Sequence, residues 1–162
     1  MRLAWVAALL AVAPATAVAQ TQPCSAPEFR QFDFWLGRWE VINQRGEADG
    51  GADIVPAPGG CGFFEYRRFA SGDLGVAFNL YDPARGTWTQ LWQAPGNVVR
   101  LEGRWQDGAL RTEGTIAVGG QPERPFRVIW TPTGSEVRQD FFLGGEDGWR
   151  PWFTSTYRRP RP

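Results

Sequence analysis

The chain has 162 residues, equal numbers of basic and acidic side chains, and no histidine. That balance argues against nucleic acid or anionic lipid as a main partner. Every basic residue is arginine, so Schiff-base chemistry on lysine, an imidazole base, His-ligated haem and ordinary zinc sites are all excluded.

Residues 1–19 read as an export signal: Arg2 gives a positive start, an apolar run follows that is too short to span a bilayer, and Ala17-Val18-Ala19 supplies the small-x-small cleavage pattern. Export places the rest in the periplasm or outside the cell, with no stable membrane insertion after cleavage. An oxidising compartment favours pairing the two cysteines, Cys24 and Cys61. Such a bridge stabilises by about 3–4 kcal/mol in the chain-entropy model. With the thiols bridged, any chemistry rests on carboxylates, Arg, Tyr or hydroxyls, and no cofactor is expected.

Residues 20–37 read as an arm with one short helix, capped by Ser25 with Pro27 and Glu28 in its first turn and ended by Gly37. From residue 38 to 159 the text is short strands between turn signals. The strands are expected over 38–43, 52–56, 62–69, 75–81, 88–93, 98–106, 109–118, 125–131, 136–143 and 149–157. "GEADGG", "PAPGG", "ASGD", "DPARG", "QDG", "VGGQPE", "TPTGS" and "GGEDG" separate them. About ten antiparallel strands in one domain need closure to hide their edges, so the expected fold is all-β: a closed or nearly closed up-and-down barrel.

Alternation sorts each strand into two faces. Trp88, Gln90 and Trp92 fall together, as do Ala77, Asn79 and Tyr81, and Phe63, Glu65 and Arg67. Mixed aromatic and polar faces suit a ligand cup lined by Glu65, Asn79, Tyr81, Gln90, Trp92 and Gln139. The alternative is that these polar residues face solvent while the apolar rows Val76-Phe78-Leu80 and Phe126-Val128-Trp130 build the core. Alternation fixes which residues share a face, not which face is inside.

The stretch Phe32-Asp33-Phe34-Trp35-Leu36-Gly37-Arg38-Trp39 resembles the opening of a group of uncharacterised exported bacterial proteins. Later marks of that group are present too: Gly60-Cys61, Asn79-Leu80-Tyr81-Asp82-Pro83, Trp88-Thr89-Gln90-Leu91-Trp92, Trp130-Thr131-Pro132, Val137-Arg138-Gln139 and Tyr157-Arg158-Arg159. Those proteins are similar to the calycins, or lipocalin-like barrels. The resemblance implies a barrel that binds a small apolar or amphipathic molecule. It also implies that Gly37 and Trp39 form the closed end, with Arg158 or Arg159 stacked on the indole. Haem-binding relatives of this barrel type use a histidine, which this chain lacks.

Three functions are compatible with these residues. The first is a small-molecule carrier. The second is a cofactor-independent isomerase or lyase using Glu65 as acid or base, with Arg67 or Tyr81 stabilising charge. The third is a glycan binder stacking sugars on exposed Trp88, Trp92 and Trp152. A carboxylate buried beside a cleft separates the second from the first.

Overall fold

Hairpins at each turn signal pair successive strands, and the last strand returns to the first. The computed structural model describes residues 24–161; the expected signal at 1–19 lies outside them. The strands are β1 (Gly37–Asn43), β2 (Ala48–Pro56), β3 (Gly62–Phe69), β4 (Leu74–Asp82), β5 (Thr87–Ala94), β6 (Asn97–Gln106), β7 (Ala109–Val118), β8 (Arg124–Thr133), β9 (Glu136–Gly145) and β10 (Gly148–Arg158). Each pairs antiparallel with its neighbours in sequence, and β1 pairs β10 with Val41 opposite Tyr157, closing the barrel. Closure leaves no unpaired sheet edge, as ten short strands require.

Strand β2 begins earlier than its sequence suggests. The turn is made by the residues around Gly46, where Asn43 Oδ1 accepts hydrogen bonds from the Arg45 and Glu47 amides. Gly50 and Gly51 continue the strand. Gly50 holds φ at +94°, and a Cβ there would collide with the Arg68 carbonyl of β3. The glycines that look like turn punctuation are therefore close-approach positions inside the sheet.

The N-terminal arm folds as two short 3₁₀ turns, Pro27–Arg30 and Asp33–Trp35. The single helix capped by Ser25 does not form: Ala26 occupies the cap position, with no side-chain hydrogen bond. The arm is tied down by the Cys24–Cys61 disulfide, whose Cα atoms are 5.0 Å apart. Arg30 also donates to the Gly60 carbonyl beside that bridge.

These turns close one end of the barrel. The Phe32 ring lies 4.9 Å from Phe63 on β3, 5.5 Å from Trp88 on β5 and 5.4 Å from Trp130 on β8. Trp35 stacks at 5.3 Å from Phe32 and meets Tyr157 of β10 edge-on at 5.2 Å. Phe32 and Trp35 thus fill the end from the inside, and Trp39 sits at its rim. The Trp39 indole N–H donates to the Trp35 carbonyl at 2.6 Å. Its ring face carries the Arg159 guanidinium at 3.6 Å, and Arg159 donates in turn to the carbonyls of Leu36 and Arg38. Gly37 is obligatory beneath it: φ is +110°, and a Cβ would press on Arg159.

Arg158 takes no part in that stack. It points outward on the alternate face of β10 and pairs with Glu136 at 2.8 Å. Adjacent residues of an extended chain point to opposite sides, so only one of the two faces the indole.

The two apolar rows separate. Phe126, Val128 and Trp130 point inward and are buried, whereas Val76 and Phe78 point outward, Phe78 being 38 % exposed. On β4 the inward face is Gly75, Ala77 and Asn79. Its small residues make room for larger neighbours: a Cβ on Gly75 would run into the Trp92 ring. Summed volume across neighbouring strands, not the hydrophobicity of one strand, decides which β4 face is inside.

Candidate functional site

Opposite the closed end the barrel holds a cavity of about 170 Å³. Its rim is aromatic: Phe69 from β3, Trp92 from β5, Phe126 from β8, Phe141 from β9, and Trp152 and Phe153 from β10. Phe141 and Phe153 stack at 4.0 Å, and Trp152 meets Phe126 edge-on at 5.8 Å. Below the rim the lining is mixed: Glu65, Gln90, Gln139, Ser155 and Tyr157 stand with the aliphatic Val99, Ile116 and Val128.

The floor is centred on Glu65, which is only 2 % exposed. The Tyr157 hydroxyl donates to Glu65 Oε1 at 3.1 Å, reaching it from β10. No other side chain among the described residues hydrogen-bonds to that carboxyl. Burial pushes the Glu65 carboxyl up to about 7, against the opposing pull of the Tyr157 hydrogen bond and the Arg67 charge. Burial also lifts the Tyr157 phenol well above its usual value, and the neighbouring Glu65 adds to the shift.

Arg67 lies two residues along the same face of β3, and it is fully engaged. Its Nη2 donates to Asp49 Oδ2 at 2.7 Å and to the Asp49 carbonyl at 2.6 Å. Its Nη1 donates to the Gly51 and Arg68 carbonyls. The guanidinium also lies 4.5 Å above the Phe69 ring. Arg67 therefore braces the wall, with its charge met by Asp49.

Four of the six expected lining residues, Glu65, Gln90, Trp92 and Gln139, converge on this cavity. The other two do not reach it. Asn79 is buried beneath the floor, where its Oδ1 accepts from Gln90 Nε2 at 2.9 Å. Tyr81 belongs to the closed end, edge-on to Phe29 at 5.1 Å and against Trp88 at 5.6 Å. Both lie further along their strands toward the closed end, and sharing a face says nothing about depth. The three tryptophans suggested for sugar stacking do not share a surface either. Trp88 is buried in the closed end, Trp92 lines the cavity with its N–H donated to Asn97 Oδ1 at 2.7 Å, and Trp152 alone is exposed, at the mouth.

Sequence reasoning missed Asp49, Ser155 and Tyr157. Asp49 was read as part of a turn. Alternation along β10 does put Ser155 and Tyr157 on one face, but its phase is broken by a bulge between Pro151 and Phe153. Among the described residues no group of His, Cys, Asp and Glu could hold a metal ion, and no helix is long and apolar enough to cross a membrane. Compared with known families and with curated proteins, the chain matches no family model and no curated sequence.

Proposed function

We propose that the protein is an exported small-molecule-binding barrel that takes its ligand into the cavity opposite the closed end. The observation that carries this reading is Gln139, a polar side chain 5 % exposed that lines the cavity and makes no side-chain hydrogen bond to the protein. A packed barrel would place an aliphatic residue there; the Gln139 amide instead opens onto the cavity, where a ligand can meet it. The aromatic rim supplies apolar area and the polar floor supplies orientation, the division of labour found in small-molecule sites. The disulfide accords with an oxidising compartment.

Native mass spectrometry of protein purified from its own periplasm tests this. The expected result is a co-purified small molecule that is lost when Gln139 and Trp92 are replaced by Leu. Apoprotein alone, from both cells and medium, together with no binding to a panel of aromatic probes, would sink the reading.

A second reading, a cofactor-independent proton-transfer enzyme, draws on Glu65 itself. A buried carboxyl titrating near neutrality beside a cleft suits a general acid or base, with the neutral Tyr157 hydroxyl as its hydrogen-bond partner. Returning the co-purified compound to the protein in D₂O separates the two. An enzyme of this type exchanges deuterium into a carbon–hydrogen bond of the compound, and a carrier returns it unlabelled.

A further inference from the structure

Resting on the binding reading above, we infer that the cavity takes a protonated organic amine on a body about one ring in size, with its ammonium group held at Glu65, Gln139 and Ser155. Three observations lead there. The first is size. An engineered cavity of about 150 Å³ in another protein accommodates benzene, so about 170 Å³ suits a single ring with a short arm.

The second is charge. The ionisable side chains lining the cavity are Asp49, Glu65, Arg67 and Tyr157. Asp49 and Arg67 neutralise each other in the wall, and Arg67 has both terminal nitrogens committed to protein oxygens. An anionic ligand therefore finds no free cation and meets a carboxyl instead. Glu65 is the one acidic group in the cavity whose charge has no fixed ion-pair partner. A cation reaching it also passes a rim of indole and phenyl faces, which attract positive charge.

The third is the count of hydrogen-bond groups. Ser155 and Gln139 are directly opposed across β9 and β10, and Tyr157, two residues along from Ser155, reaches Glu65. Glu65, the Gln139 amide oxygen and the Ser155 hydroxyl can each accept one hydrogen bond, and an ammonium group has three to donate.

The amine requires ionised Glu65, so binding displaces the carboxyl proton in the range where Glu65 titrates. The groups facing it from the surrounding elements are Arg67 on its own strand, Asp49 on β2 and Tyr157 on β10. Tyr157, lifted well above its usual value, stays neutral through that range.

Isothermal titration calorimetry with 2-phenylethylamine, 2-phenylethanol and 3-phenylpropionate tests the inference on the full mature protein. At pH 8 the amine should bind at least about tenfold more tightly than the alcohol, and the carboxylate more weakly than either. Below pH 7 the amine's affinity should fall by roughly tenfold per pH unit, with proton release detected in buffers of different ionisation enthalpy. Glu65→Gln should lose the amine preference. Equal affinity for amine and alcohol, tighter binding of the carboxylate, or an amine affinity unchanged between pH 8 and 5.5 would overturn the amine inference and leave the cavity's binding role standing. Failure of all three probes to bind would overturn the amine inference and, together with apoprotein alone from cells and medium, the binding reading as well. The wild-type pH series keeps the test decisive if the variant does not fold.

Discussion

The two ends of this barrel are built from the same inward strand positions and come out opposite in character. At the closed end Phe32, Trp35, Phe63, Trp88, Trp130 and Tyr157 are buried and pack ring against ring. At the open end Trp92, Phe126, Phe141 and Phe153 stand around a cavity in which a carboxyl, two amides and two hydroxyls sit among Val99, Ile116 and Val128. The difference comes from the arm. Its 3₁₀ turns push Phe32 and Trp35 into one mouth, and nothing equivalent enters the other. Stability should therefore reside at one end and ligand chemistry at the other, and the following experiments separate them.

The largest effect should come from Trp35→Ala. Removing a fully buried indole costs about 3–5 kcal/mol through lost contacts and the cavity left behind. Urea denaturation should show that loss, with a smaller change in probe binding at pH 8, measured well below the midpoint, passed on through Tyr157, which Trp35 meets edge-on. Trp152→Ala, at the exposed rim, should do the reverse: less than about 0.5 kcal/mol in stability, as for a surface position, and weaker probe binding.

Breaking the Cys24–Cys61 bridge by a double Ser substitution should cost about 3–4 kcal/mol, since it closes a loop with a sequence separation of 37 residues. Free-thiol titration of the denatured, unreduced protein should find no reactive thiol in the wild type. The loss should appear as faster proteolysis of the arm before the barrel opens, because the bridge anchors the closing turns.

At the open end the same kind of measurement should reveal strain instead of support. The Glu65 carboxyl titrates near 7 when folded and near 4.3 when unfolded. The folded state therefore holds the proton more tightly. The contribution is fully present below the unfolded value and is lost as pH rises through the folded one. Between about pH 4 and 7 it should decline by roughly 3 kcal/mol. Glu65→Gln removes that slope, so the stability difference between variant and wild type should grow in the variant's favour from pH 4.5 to 8. A difference that stays flat with pH would show that the buried carboxyl does not titrate as its surroundings dictate.

The smallest effect concerns two neighbouring arginines. Arg159→Ala removes a guanidinium stacked on Trp39 and two hydrogen bonds to the chain entering β1, a loss of about 0.5–2 kcal/mol. Arg158→Ala removes an exposed ion pair with Glu136, worth about 0–1 kcal/mol. Thermal denaturation of both variants should rank them in that order, and 0.5 M salt should erase the Arg158 effect first.

Most of the fold was legible in the sequence, and the physical reasons are local. Turn residues cut the chain into ten strands, and period-2 alternation grouped Glu65 with Arg67 and Gln90 with Trp92. Two cysteines could form only one bridge within the chain, and the Gly37–Trp39 pair marked the barrel's entry. The site was legible only in part. Alternation placed Asn79 and Tyr81 on the inward face, but their depth depends on strand tilt and register against the nine other strands, which put Asn79 under the floor and Tyr81 at the far end. Which face of β4 points inward was settled by the bulk of Trp92 over Gly75, a contact across strands. The partners of Arg67 were settled by β2 running on through Gly50 and bringing Asp49 beside it. Above all, the chemistry of Glu65 is a tertiary property: a carboxyl becomes a near-neutral acid only when closure of the barrel takes it out of water and brings Tyr157, 92 residues away in sequence, to its oxygen.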